Sequence, residues 1–462
     1  MSVMSSMGAL IPLPLVQRDF RRTFRQDGPS PLDNMPLALR ISGPLDHRAL
    51  ALAVEDVALR HEPLRTYFPD VDGIPRQMVL PDLPDRARLT RIGCRARDVA
   101  DILAAEYARA FDLAAEVPLR ARLLAVAEDE HVLLILLHHI ACDGWSLRVL
   151  CNDLGAAYAA RRRGAAPGWD PLPVRYRDYV YWQRDLLGDE RDPRSLAHRQ
   201  LAYWRAALAG APEELALPFD RPRPAVASHR GGLVAADLDA RLHARLAGLA
   251  RSLDATLFMV VQAAVSVLLS RHGAGTDIPL PAAFAGRGES ALEPMVGLFV
   301  NILILRADLS GNPSFRHLVE RVRDVDLAAY EHADLPFTRI AENLWPAGPA
   351  GPPPLSRVRI AFETGGVERL AMDGLTVRSE PVALAGARRD LAFHFLDRYD
   401  RGGGPAGVDA SVEYDAELFD ERTARALADR LRGLLEIFAG DPGIRVEDVD
   451  LRSAQTEGGR AA

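Results

Sequence analysis

The 462-residue chain has no lysine; each of its 56 basic side chains is an arginine. Chemistry that needs a side-chain amine is therefore excluded, including the Schiff base of pyridoxal enzymes and the lysine of a phosphate-binding P-loop. Cysteine is scarce: Cys94, Cys142 and Cys151 are odd in number and lack a C-x-x-C spacing. This argues against a disulfide framework or a structural zinc site, so reduced thiols and no bound metal are expected. The one long apolar run, Leu257 to Leu269, contains Gln262 and Ser266. It falls short of the roughly 20 apolar residues of a membrane span, and a buried helix is expected instead. The opening MSVMSSMGALIPLPLVQ has neither a basic n-region nor an uninterrupted apolar stretch. No secretory signal is expected, and the protein reads as cytoplasmic, with no membrane partner. A formal net charge of -7 is a poor basis for a phosphate-tracking surface, so nucleic acid is not an expected partner.

What is present is enough apolar residue, 48% of the chain, to bury a large core divided into two lobes. Leu37, Leu39 and Ile41 alternate as in a strand, Gly43-Pro44 turns the chain, and Asp46 is placed to cap a helix carrying Leu50, Val54 and Val57. His131 to Leu137 is a near-continuous apolar run suited to a buried strand. Beyond Asp143-Gly144-Trp145-Ser146, Leu147, Leu150, Leu154 and Tyr158 share one helical face as far as Arg161-Arg162-Arg163-Gly164. Residues 1–170 are assigned to a first lobe and 171–224, rich in proline, arginine and aspartate with a helix from Ala197 to Leu208, to a connection. Residues 225–451 form a second lobe that mixes helices such as Leu257 to Ser270 with strands such as Val296 to Arg306, and 452–462 a disordered tail. The mixture predicts an α/β fold. Two loops are expected, at Pro346 to Pro354 and at Arg401 to Gly407.

The segment His138-His139-Ile140-Ala141-Cys142-Asp143-Gly144 occupies the strand-to-helix turn. Adjacent strand side chains point to opposite faces, so the two histidines cannot easily serve one atom. His139, nearer the turn, is placed to reach a cavity, and His138 to hydrogen-bond in the interior. Asp143 at the helix start favours the dipole or pairs with a buried arginine, a positional role. Gly144 permits close backbone approach, and the helix start offers N–H groups to an oxyanion, a suitable site for acyl transfer. The bland alternatives are two satisfied core histidines and, for Cys142, a small buried thiol rather than a nucleophile. Arg21, Arg22 and Arg25, or Arg161 to Arg163, offer charge to an acidic carrier protein, although charge runs are usually solvated faces.

Beyond this turn the sequence resembles nonribosomal peptide synthetase condensation domains over nearly its whole length. Arg60 to Phe68 resembles their RHExLRTxF motif, His138 to Ser146 HHxxxDGWS, and Tyr176 to Trp182 the YxDYAxW element. Val296 to Asn301 resembles VGxFVN and His332 to Phe337 HxDxPF. Departures are the serine and alanine missing from the opening Pro12 to Arg18 motif, Ile302 in place of a common threonine, and a partial late motif at Arg389-Asp390-Leu391. The resemblance implies two chloramphenicol-acetyltransferase-like lobes in a V with the site in a central tunnel. It also implies an acyl or aminoacyl donor on the phosphopantetheine arm of a carrier protein, with no cofactor held by the enzyme itself. The acceptor would be a small amine or alcohol, or a second carrier-bound substrate. His139 would position or deprotonate the nucleophile, Gly144 and Asn301 would lie near the reacting centre, and Asp143 would pair with Arg306 or Arg65. The chain starts with methionine and ends near the end of the condensation region, which points to a free-standing enzyme of the amide- or ester-forming kind, as in enediyne pathways. Epimerisation domains carry an EGHGR segment not found here, and heterocyclisation domains replace the histidines with an aspartate motif. The alternatives are a coenzyme-A-dependent acyltransferase sharing HHxxxDG and an inactive module that binds carrier proteins.

Overall fold

The computed structural model describes residues 10–224, 227–345, 355–364, 370–382 and 386–450. They divide into two compact units that are discontinuous in sequence. The first comprises residues up to Gly188, Ala285–Val300 and Val367–Ala385; the second comprises Asp189–Phe284, Asn301–Gly366 and the residues from Gly386 onward. Two segments of the later half thus belong to the first unit, where the sequence reading drew consecutive lobes. The loop expected at 346–354 and the tail from 452 lie outside the described residues.

In the first unit a five-stranded sheet runs in the order Thr376–Ser379, Asn34–Ser42, Glu130–His138, Leu119–Ala127, Thr90–Gly93. All neighbours are antiparallel except the last pair. Its central strand is apolar at nearly every position because both faces are covered. Leu133, Ile135 and Leu137 join Leu37, Leu39 and Ile41 against helices His47–Arg60 and Gly144–Arg162, through Leu50, Val54, Val57, Leu150, Leu154 and Tyr158. On the other face Val132, Leu134 and Leu136 pack with Ala38, Phe68, Leu103 and Phe111. Period-two alternation is invisible in such a strand, yet each side chain still has one defined face. Asp46 caps its helix by accepting from Ala49 N–H at 2.9 Å.

The second unit holds a six-stranded mixed sheet in the order Asn301–Asp308, Asp277–Phe284, Val358–Thr364, Leu391–Tyr399, Pro405–Asp415, Gly231–Ala235. Helices Ala240–Ser252, Leu257–Leu269, Phe315–Tyr330 and Glu421–Gly440 pack with it and with one another. The apolar run is buried throughout from Met259 to Leu269. The stretch Leu257–Ala274 is the one candidate span by length and composition among the described residues, and two thirds of it, 67%, is buried. The strand expected over Val296 to Arg306 begins instead at Asn301. The N–H groups of Val296, Gly297 and Phe299 are taken by side chains of the first unit rather than by a neighbouring strand, namely His61 Nδ1, Ser146 Oγ and Asp143 Oδ2.

Candidate functional site

Strand Glu130–His138 ends opposite Asn34, and the chain then enters a one-turn 3-10 helix, His139–Ala141. The two imidazoles part there. His138 is buried; its Nδ1 accepts the Ile140 N–H at 3.0 Å, and its ring stands edge-on to Phe20 and Phe111. With Nδ1 accepting, the ring proton lies on Nε2, 4.0 Å from Asp33 Oδ2. His139 is half-buried, and its Nδ1 is 2.8 Å from the Cys142 carbonyl oxygen. A carbonyl can only accept, so Nδ1 of the neutral ring carries the proton and Nε2 is its basic nitrogen. Gln17, buried in helix Leu15–Asp27, donates Nε2–H to the Ile140 carbonyl at 2.8 Å and fixes the turn from behind.

Asp143 caps helix Gly144–Arg162. Oδ1 accepts from Ser146 N–H at 2.9 Å and from Arg287 Nη2 at 3.1 Å, and lies 2.7 Å from Ser146 Oγ; Oδ2 accepts from Phe299 N–H at 3.0 Å. Both oxygens being engaged in a buried network, the carboxylate holds the loop and is not positioned to exchange protons with a substrate. Its arginine is Arg287, which corrects the expectation of Arg65 or Arg306. Arg65 spends its guanidinium on the carbonyls of Leu80 and Leu59. Arg306 forms a fork on Asp277 in the second unit, with both contacts at 2.7 Å.

Arg287 is almost wholly buried, donates further to the Leu292 and Met295 carbonyls at 2.6 and 2.9 Å, and lies 4.1 Å from the Phe299 ring centroid. Burial lowers its proton affinity, and Asp143 opposes that shift. The sequence reading missed this residue. The available signal was Ala285-Gly286-Arg287-Gly288, an arginine between glycines. Gly286 has φ +65°, and a Cβ there would stand 2.1 Å from the Phe299 carbonyl oxygen, so only glycine lets the chain deliver the arginine.

Other motifs converge on the same unit as fastenings. Tyr176 donates its hydroxyl to the Leu298 carbonyl at 2.9 Å and packs edge-on to Phe299. His61 accepts the Val296 N–H on Nδ1 and donates from Nε2 to Asp153 at 2.7 Å; burial lowers its basicity, with Asp153 acting the other way. Glu62 receives the Arg177 guanidinium, and Arg60 binds the same Asp153. Gly144 opens its helix and is exposed. Cys142 is buried with Sγ near Met35 Sδ and the His138 carbonyl, and burial raises its thiol well above the usual range, so it is not a nucleophile. Arg21, offered as a surface charge, is buried and paired with Asp70 at 3.2 Å, and Arg161 is forked onto Asp56.

Asn301 belongs to the second unit. Its Nδ2 donates to the Ala333 and Leu335 carbonyls and its Oδ1 accepts from Ile302 and Phe337 N–H. With its amide hydrogens spent on the His332 to Phe337 segment, it acts as a clamp rather than as a group that touches substrate. Gln200 completes that clamp through Asp334 and Leu335.

The condensation domain family matches residues 12–457. The dimodular nonribosomal peptide synthase of Bacillus subtilis (strain 168) is 44% identical over 445 residues, 96% of this chain and 18% of that protein. The probable non-canonical nonribosomal peptide synthetase CymA of Salinispora arenicola (strain CNS-205) is 46% identical over 96% of this chain and 6% of its own length. The chain thus spans less than a fifth of these curated relatives. Among solved structures, the X-domain in a complex with OxyB from teicoplanin biosynthesis superposes with a TM-score of 0.85 at 38% identity, covering 98% of this chain and 99% of that one. SgcC5 of Streptomyces globisporus, in complex with a naphthyl ethanediol, has a TM-score of 0.73 at 25% identity, covering 94% and 100%. Condensation domains from the Monacolin K polyketide synthase MokA and from the CDA synthetase share the same chloramphenicol-acetyltransferase-like α/β fold. The motif residues, their hydrogen-bonded convergence on the His138–Ser146 turn and a match over nearly the full length lead to one conclusion: the chain belongs to the condensation domain family.

Proposed function

We propose that this chain transfers an acyl or aminoacyl group from the phosphopantetheine thioester of a carrier protein to an amine, forming an amide. The observation that carries the reading is the His139 tautomer: with Nδ1–H held by Cys142 O, Nε2 is the nitrogen that can take a proton. The amine nitrogen bonds to the thioester carbonyl carbon, the C–S bond breaks, and the proton shed by nitrogen passes by way of His139 Nε2 to the departing thiolate. Gly144 brings a backbone N–H of the helix's first turn, the kind of donor that stabilises an oxyanion. Asp143 and Arg287 contribute rigidity and no proton. An amine acceptor is favoured over an alcohol because relatives at 43 to 46% identity are peptide synthetases or a lipopeptide synthase, whereas the diol-bound structure is 25% identical.

The test is intact-mass monitoring of aminoacyl-loaded carrier proteins mixed with the protein and a panel of amines and diols, with coenzyme-A thioesters as a parallel donor. Discharge into an amide is expected, and His139→Ala is expected to lower turnover by about 10² or more while leaving carrier affinity intact. Discharge from coenzyme A alone would replace the donor assigned here. A second reading rests on the 38% identity to an X-domain solved with OxyB: recruitment of another protein to a carrier without chemistry. Carrier binding without discharge across cognate carriers would establish it.

A further inference from the structure

Helix Leu15–Asp27 is 13 residues long, follows Pro14 without a side-chain cap and carries no acid in its first turn. A helix this short is marginal by itself and is held by what its inner face touches. That face presents Gln17, Phe20, Arg21 and Phe24, spaced by three and four residues, while Arg18, Arg22 and Arg25 are exposed. Each inner residue is tied into the first unit. Gln17 donates to the Ile140 carbonyl at 2.8 Å and to the Tyr176 hydroxyl at 3.3 Å. Arg21 pairs with Asp70, and Phe20 and Phe24 pack against the apolar cluster that includes Leu134, Leu136 and Ile140. Phe20 differs from the others in what else it meets. Its ring centroid is 5.5 Å from that of His139 at a tilt of 38°, and 6.0 Å from that of His138 at 74°. The hydrogen bond from His139 Nδ1 to the Cys142 carbonyl fixes one atom of a half-buried imidazole. One bond of that kind lets the ring swing about it unless something lies against its side. Phe20 lies there, one helical turn beyond the glutamine that holds the backbone of the same turn.

We propose that Phe20 is a positioning residue: it holds the His139 ring on the Cys142 carbonyl, and so keeps the proton on Nδ1 and the basic Nε2 in one place. The kinetic consequence rests on the acyl-transfer reading given above; the structural one, the tautomer of His139, does not.

Two measurements on the full chain test this. In protein carrying ¹⁵N-labelled histidine, the His139 resonances are assigned by their loss in His139→Ala and read about two pH units above the ordinary histidine value of about 6.5. The wild-type ring is expected to show a protonated Nδ1 and an unprotonated Nε2. Phe20→Ala is expected to draw the two shifts together, because a ring that leaves the carbonyl populates both tautomers. Phe20→Trp, which refills the space, is expected to restore them, and Phe24→Leu, one turn further along the same face, to leave them as in wild type. In the carrier-discharge assay Phe20→Ala is expected to lower kcat by about tenfold or more, with KM for the loaded carrier within about twofold of wild type. In a His139→Ala background it is expected to have no further effect. Should Phe20→Ala not fold, Phe20→Leu, which keeps the apolar contact but not the flat ring, is read in its place. Unmoved His139 nitrogens in the folded variant, or an equal loss of turnover with and without His139, would overturn the proposal. Absence of discharge by the wild-type protein would overturn the acyl-transfer reading instead, and the tautomer measurement then decides the role of Phe20 by itself.

Discussion

Replacing Asp143 with alanine strands a charge. Arg287 then keeps its two carbonyl acceptors, Leu292 and Met295, but its only carboxylate among the described residues is gone, and its side chain is 2% exposed. Breaking a buried pair by removing one partner costs about 3–5 kcal/mol. The same substitution removes the cap of helix Gly144–Arg162, worth about 1 kcal/mol, and unpairs the Phe299 N–H, which costs about 1–3 kcal/mol more. The sum is comparable with the whole stability of an ordinary domain, about 5–15 kcal/mol, so soluble yield and urea midpoint should both fall sharply. The distinguishing comparison is Asp143→Ala/Arg287→Met. Removing the stranded charge as well should recover about 2–4 kcal/mol of the loss by urea unfolding, and leave the cap and Phe299 contributions unrecovered. If the double variant is no more stable than Asp143→Ala, or if Asp143→Ala unfolds at the wild-type midpoint, the account of this network is wrong.

A second carboxyl supplies a pH prediction. Asp326 is buried on helix Phe315–Tyr330 with Gln262 Nε2 as its hydrogen-bond donor at 3.1 Å; burial pushes its carboxyl up to about 7, Gln262 pulling the other way. The unfolded chain loses this proton near pH 4 and the folded one near pH 7, so stability falls as pH rises between them, by about 4 kcal/mol in all, and levels off above. Asp326→Asn should abolish that slope and raise the melting temperature more at pH 8 than at pH 5; an equal shift at both would count against it. Gly297→Ala should cost about 1–3 kcal/mol by overpacking, because a Cβ there would lie 2.6 Å from the Tyr176 ring. Thermal melting checks this, with a turnover loss following as the segment holding Asp143 and Ser146 shifts.

Local pattern sufficed for much of the fold. The apolar run before His138, the helical spacing after Gly144 and the Asp46 cap are short-range regularities, and each element formed where propensity and periodicity agreed. The boundary at Val296 was misread because its branched apolar residues fit a strand, while the N–H groups that decide the matter bond to side chains distant in sequence. The same division holds at the site. That two adjacent histidines cannot serve one atom follows from chain geometry, but which nitrogen of His139 is basic depends on where the Cys142 carbonyl points.

By itself, then, the sequence determined the α/β class, the strand-turn-helix that carries His138, His139 and Asp143, and the family to which its motifs belong. The tertiary structure alone decided that the partner of Asp143 is Arg287, 144 residues away, that the Asn301 amide is consumed by the Ala333 and Leu335 carbonyls, and that residues 285–300 join the first unit. The physical reason is range. Helix and strand signals repeat over a few residues, whereas an arginine's carboxylate is chosen by burial and by competition among every acid the fold brings within reach, which no local pattern encodes.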